Sequence, residues 1–265
     1  MYSRFQLTKK YLNYYLAASN GKGHGTHSPF VFDFIKHVLR DKKQYPYYEV
    51  IEKAREQLLK QKEEIEVEDM GAGSAVIKTN KRVVADIARS SLKPAKFAKL
   101  LYRIVQYYKS ATILELGTSL GVTTSYLAAA NPDAKVYTIE GSAAIAGIAT
   151  KTFERVGLNN IDLSQGNFDQ VLPALLTKLN TVDLAFIDGN HRKEPTFEYF
   201  RILLDHATPS TILVFDDIHW SEGMEEAWAA IKDHPRVTLT IDLFFIGLVF
   251  INPDFKIPQH FSIRF

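Results

Sequence analysis

The sequence predicts an α/β protein, a doubly wound and mostly parallel sheet preceded by a helical extension. Three observations carry this. Ala111 to Thr124, read ATILELGTSLGVTT, runs from an apolar strand through a glycine turn into a helix. From residue 111 onward, short apolar runs alternate with helix-like stretches, and such a β-α-β-α series folds as a parallel sheet with helices on its faces. Residues 1 to about 110 lack that alternation and read as helices instead.

The elements follow in order. Tyr2 to Ala18 is a helix with an aromatic-rich apolar face of Phe5, Leu12, Tyr15 and Leu16. The break GKGHGTHSP follows. It holds His24 and His27, which sit among glycines with no acid nearby and read as solvated or capping residues. A second helix runs from Ser28 to Leu39, with Ser28 as N-cap and Pro29 in the first turn. A third, heavily charged, spans Tyr47 to Glu64, so one side faces water. Residues 68–82, EDMGAGSAVIKTNKR, form either a surface loop or a lid whose Lys78, Lys81 and Arg82 meet an acidic substrate. Helices over Thr79 to Ser91 and Pro94 to Lys109 close the extension, the second with Phe97, Leu100, Leu101, Ile104 and Val105 at helical spacing.

Strands are expected at 111–116, 135–139, 160–164, 182–187 and 210–215. Val237 to Asp242 and Phe244 to Ile251 are two β-rich runs with almost no connection, and would pair antiparallel as a hairpin closing the sheet edge. That makes seven strands, the last antiparallel. The expected division is a helical extension over 1–94 and a ligand-binding domain over 95–265.

Composition narrows the chemistry. With no cysteine there is no disulfide, zinc–thiolate site or cysteine nucleophile. The formal net charge of +2 gives no general affinity for polyanions, so no nucleic-acid partner is expected. No run approaches the roughly 18 apolar residues of a membrane span, and a cytoplasmic protein without a membrane partner is the expectation.

The glycine turn separates two cofactor classes. A dinucleotide fingerprint needs a glycine two residues after the first, and Ser119 stands there. The pattern is Glu115-x-Gly117-x-x-x-Gly121, which resembles the first motif of the class I S-adenosylmethionine (SAM) methyltransferases. About 25 residues on, Glu140 ends an apolar strand and is followed by Gly141 and Ser142. A carboxylate there can accept both hydroxyls of a ribose, which suits SAM and NAD alike.

The resemblance covers about residues 95 to 255 and implies the seven-stranded class I methyltransferase fold, which is Rossmann-like. It implies that Glu115, Gly117, Thr118, Ser119 and Gly121 hold the methionine part of SAM, with Glu115 receiving its cationic amino group directly or through water. Glu140 becomes the ribose acid. The turn SQGNFDQVLP would hold the adenine through Asn167 and Phe168, or through Asp169. Asn167 stands where the family carries an acid.

Asp188 closes one strand, and Asp216 and Asp217 close the next. Adjacent parallel strands end at one edge, and three carboxylates there repel unless a cation or protons neutralise them. Oxygen ligands of this kind suit Mg²⁺ or another divalent cation. The arrangement is similar to the catechol and caffeoyl-CoA O-methyltransferases, in which an Asp and an Asp-Asn pair bind a metal; Asp217 takes the place of the Asn. Asp188 also lies beside the cofactor in that family. His191 replaces a lysine base and is a candidate general base or metal ligand; His219 is a further candidate metal ligand. If Asp216 and Asp217 both belong to a continuing strand, they point to opposite faces; a turn between them would remove that objection.

The expectation is a SAM-dependent methyltransferase that methylates a small-molecule hydroxyl, with Asp188 and His191 catalytic and Asp188, Asp216 and Asp217 as metal ligands. The helical extension would cap the pocket or build a homodimer. Two alternatives stand: a non-catalytic SAM-fold interaction protein, marked by loss of SAM binding with an intact fold, and an NAD(P)-dependent oxidoreductase, marked by a nicotinamide absorbance change.

Overall fold

The computed structural model describes residues 1–19, 21, 27–68 and 80–265. His24, Lys78 and most of the 68–82 loop lie outside those residues. The chain forms two compact units, Lys42–Leu179 and the union of Met1–Asp41 with Asn180–Phe265.

In the unit Lys42–Leu179, α3 (Pro46–Leu58) buries Tyr48, Ile51, Ala54, Arg55 and Leu58, the three- and four-residue spacing of one helical face. It stops six residues before the predicted end. The sequence Glu64-Ile65-Glu66-Val67 alternates charged and apolar, a strand period, and Glu64–Glu66 is β1, paired antiparallel with β2 (Lys81–Val83). Lys81 and Arg82 therefore belong to a strand, and the helix expected from Thr79 begins only at Val84 as α4 (Val84–Ser91). Next, α5 (Ala95–Tyr108) ends on Lys109 in the left-handed conformation. Parallel strands β3 (Thr112–Leu116), β4 (Lys135–Glu140) and β5 (Ile161–Gln165) follow in spatial order. They alternate with α6 (Val122–Ala130), α7 (Ala143–Val156) and α8 (Phe168–Leu176). All nine residues of α6 are buried, which explains why its sequence carries no polar face.

In the other unit, α1 (Arg4–Ala17) starts on a Ser3–Gln6 capping box. Its predicted apolar face does not pack inward: Phe5 is 80% and Leu16 77% exposed. The opposite side, with Leu7, Lys10, Tyr11 and Tyr14, does. The Tyr11 and Tyr14 rings lie 5.0 and 5.3 Å from Phe244. The helix expected at 28–39 is α2 (Pro29–Phe34), continued by a wider π-helical turn at Ile35–Leu39. Ser28 holds the N-cap position without a side-chain capping bond.

Then come β6 (Val182–Ile187), α9 (Lys193–Leu204), β7 (Ala207–Asp216), α10 (Glu222–Lys232), β8 (Leu239–Asp242) and β9 (Ile246–Phe250). β6 and β7 are parallel, β9 is antiparallel to both β7 and β8, and the predicted hairpin is present. A further strand, β10 (Gln259–Ser262), adds parallel to β8, so the hairpin does not end the sheet. Among the described residues, apart from the β1–β2 pair, the strands number eight and are mostly parallel, three in one unit and five in the other.

Candidate active site

The unit Lys42–Leu179 builds a cradle at the carboxyl ends of its strands. β3 ends at Leu116, and the amides of Gly117 and Thr118 both donate to the Ile139 carbonyl, at 3.0 and 3.3 Å. Gly117, Ser119 and Gly121 all have positive φ. At Gly121, the N-cap of α6, glycine is required twice. Its φ is +80°, and a Cβ there would lie 2.6 Å from a Phe153 ring carbon and 3.1 Å from the Ala149 Cα. Among the described residues no side chain caps α6, which leaves its first amides for a ligand.

Glu140 organises the rim. Its Oε2 accepts from the Ser119 amide at 2.9 Å and its Oε1 from the Ser142 amide at 3.1 Å. Burial pushes its carboxyl above the usual range, while the amides of Ser142, Ser119 and Gly141 pull it back toward the charged form. Ser142 also caps α7, its hydroxyl accepting from the Ile145 amide at 3.5 Å. The Gly166 amide donates to the Glu140 carbonyl at 2.9 Å, which ties the 166–168 turn to the same rim. Asn167 is the N-cap of α8, its oxygen accepting from the Asp169 amide at 2.8 Å, and Phe168 is the first residue of that helix.

Glu115 lies beneath the turn, wholly buried. Its Oε2 accepts from the hydroxyls of Thr138 at 2.6 Å and Thr124 at 2.5 Å. Thr118 and Thr138 share a further hydroxyl contact at 2.6 Å. This chain of hydroxyls joins β3, β4, the turn and α6. Reading the sequence missed Thr124, Thr138, Phe153 and Ser91, whose Oγ is 2.8 Å from that of Ser119. The available signal was a threonine inside the otherwise apolar VYTIE strand.

The second unit gathers another group at the ends of its parallel strands. Asp188 follows β6 and the buried Asp216 closes β7. With His191 they place one ligand atom each within 4.8 Å of one another. His191 Nε2 is 3.6 Å from Asp188 Oδ1. Asp217 is not in this group. The chain turns there with φ +52°, and the Asp217 amide donates to the Phe245 carbonyl at 2.7 Å. Asp217 instead lines a small recess with Leu7, His219, Trp220, Phe244 and Phe245.

His219 has both ring nitrogens engaged, Nδ1 with Glu225 at 3.0 Å and Nε2 with Asp242 at 2.9 Å. Glu225 also accepts from Lys10 and Tyr2 of the N-terminal segment, each at 2.8 Å. Burial pulls the His219 pKa down, but the two carboxylates outweigh it and hold the imidazole above its ordinary value. This network fastens α1 to α10 and β8.

Known proteins resemble this chain in sequence and in fold. Residues 114–218 match a family profile described as a methyltransferase domain. A catechol O-methyltransferase of Niastella koreensis is 32% identical over 143 residues, covering 53% of this chain and 63% of that protein. A transmembrane O-methyltransferase homologue of Mus musculus is 30% identical over 123 residues, covering 44% of this chain and 46% of that protein, so the chain spans less than two thirds of either relative's length. Two solved structures share the fold. A Bacillus cereus O-methyltransferase in complex with S-adenosylhomocysteine (SAH) has a TM-score of 0.56 at 22% identity, covering 83% of this chain and 97% of that one. An SAH-bound Podospora anserina methyltransferase has a TM-score of 0.61 at 14% identity, covering 85% and 97%. Among the described residues no helix is long and apolar enough to cross a membrane.

Proposed function

We propose that this chain, in which residues 114–218 match a methyltransferase-domain profile, is a class I SAM-dependent O-methyltransferase that acts on a small-molecule hydroxyl with the help of a divalent cation. The observation that carries the reading is the rim at Glu140. One carboxylate is held by two backbone amides beside a glycine turn too tight for a Cβ. Such a carboxylate keeps lone pairs for a diol, and the uncapped start of α6 supplies N–H groups for a carboxylate or carbonyl. These features fit the two polar ends of SAM. Glu115 has its Oε2 committed to Thr124 and Thr138 and reads as a support for the turn.

SAM, when bound, supplies a methyl group on a sulfonium that is already a good leaving group. The protein's part is to align the acceptor oxygen with that methyl and exclude other geometries. Asp188, Asp216 and His191 supply two carboxylates and an imidazole at one point, a donor set that suits a divalent cation. A cation held there would lower the pKa of an acceptor hydroxyl. Without a cation, His191, partly exposed beside Asp188, would instead serve as the base that takes the proton.

The test is transfer of a labelled methyl from SAM to a panel of catechol, simple phenol, amine and thiol acceptors, with and without a chelator. Transfer to catechols that falls at least tenfold with the chelator supports the proposal. Transfer to amines alone, or transfer indifferent to chelation, refutes the O-directed or the metal-assisted part respectively.

A further inference from the structure

Ser91 ends α4 and Ser119 sits in the glycine turn, with their hydroxyl oxygens 2.8 Å apart. The Ser91 hydroxyl donates to the Ile87 carbonyl, one turn back in its own helix, at 2.9 Å. A serine hydroxyl has one proton and two lone pairs. Ser91 has given its proton to Ile87, so the proton between the two serines comes from Ser119. The Ser119 amide is committed as well, to Glu140 Oε2 at 2.9 Å. The backbone holds the residue in a left-handed conformation with φ +49°, and what Ser119 then presents to a ligand is lone pairs alone.

We infer that Ser91 is a positioning residue that fixes Ser119 Oγ as an acceptor, so that this corner of the turn takes the ammonium of the SAM methionine part and turns its carboxylate away. The inference rests on the reading of the turn as a SAM cradle. An ammonium only donates and a carboxylate only accepts, so the direction of one hydroxyl decides which end of the amino acid fits. Without Ser91 the Ser119 hydroxyl rotates and offers its proton toward the ligand. The start of α6 then receives a less ordered amino-acid end.

The experiment is calorimetry of SAH and of 5′-methylthioadenosine, which keeps the adenosine and the sulfur but lacks the amino-acid end, on wild type, Ser91→Ala and Ser91→Thr. Ser91→Ala should weaken SAH about three- to tenfold, the range of one modest hydrogen bond. It should leave 5′-methylthioadenosine unchanged. Ser91→Thr should restore SAH, because threonine also bonds the carbonyl four residues back. Equal losses for both ligands would mean a merely structural residue and would overturn the inference, as would an unchanged SAH affinity in Ser91→Ala or a failed rescue by threonine. A wild-type protein that binds neither ligand overturns the cradle reading itself. One that binds both, with Ser91→Ala silent, overturns the positioning role alone.

Discussion

Gly121→Ala tests the cradle's construction against an internal control. Gly121 and Gly157 share a φ of +80°, but an added Cβ meets Phe153 and Ala149 at the first position and nothing within 4 Å at the second. Both substitutions carry the backbone cost of an L-residue in the left-handed region, roughly 1–2 kcal/mol. Gly121→Ala adds a clash in which Phe153 is buried and the Ala149 Cα is main chain. Overpacking of that kind costs about 1–3 kcal/mol more. Midpoints of roughly 3.5 and 1.5 kcal/mol, at about 3 °C per kcal/mol for a chain of this size, give melting shifts of about 10 °C and about 4–5 °C. The assay is a thermal melt of both variants beside wild type, followed by SAH titration. Gly121→Ala should also weaken SAH, since the start of α6 must move, while Gly157→Ala at the far end of α7 should not. Equal melting shifts, or a larger one for Gly157→Ala, would refute the argument that close approach rather than backbone conformation makes Gly121 necessary.

Other outcomes follow from the same geometry. His219 is held above its ordinary pKa by Asp242 and Glu225, so its stabilisation is full below about pH 6.5 and is lost as pH rises through the raised value. His219→Gln should therefore lower the melting temperature most near pH 6, by roughly 4–8 °C, and much less at pH 9; a penalty that grows with pH would contradict this. Asp216→Asn should abolish any melting shift produced by Mn²⁺ or Mg²⁺ while Asp217→Asn leaves it in place, because only Asp216 shares a point with Asp188 and His191. A metal response lost in Asp217→Asn instead would reverse the ligand assignment. Tyr126→Phe removes a hydroxyl that donates to Glu52 at 2.7 Å from inside α6, and should cost about 1–2 kcal/mol by denaturant titration.

What the sequence revealed depended on how local the cause was. The strand at 182–187 and the pair at 239–250 were legible because a short apolar run and a tight connection act within a few residues. The turn at 115–121 was legible because glycine spacing is a backbone requirement written in residue type. β10 was not, since Gln259–Ser262 follows Pro258, alternates exposed and half-buried residues, and owes its conformation to pairing with β8. The face of α1 was misjudged for a related reason. Phe5, Leu12 and Leu16 are the more apolar side, yet Tyr11 and Tyr14 pack because Phe244 and Phe245 offer them aromatic partners far along the chain. At the site, residue types named Asp188, Asp216 and Glu140. The separation of Asp216 from Asp217 needed a backbone turn that alternation alone could not place, and the role of Ser91 needed its contact with a residue 28 positions away.

The central claim is that the Glu140 rim and its glycine turn hold SAM. Titration of SAH into purified wild type and Glu140→Ala, with a melting curve to confirm that both are folded, tests it most directly. The account predicts micromolar binding to wild type and a loss of at least about thirtyfold, roughly 2 kcal/mol, in the variant. A folded wild type that does not bind SAH, or a Glu140→Ala variant that binds it as tightly, would contradict it.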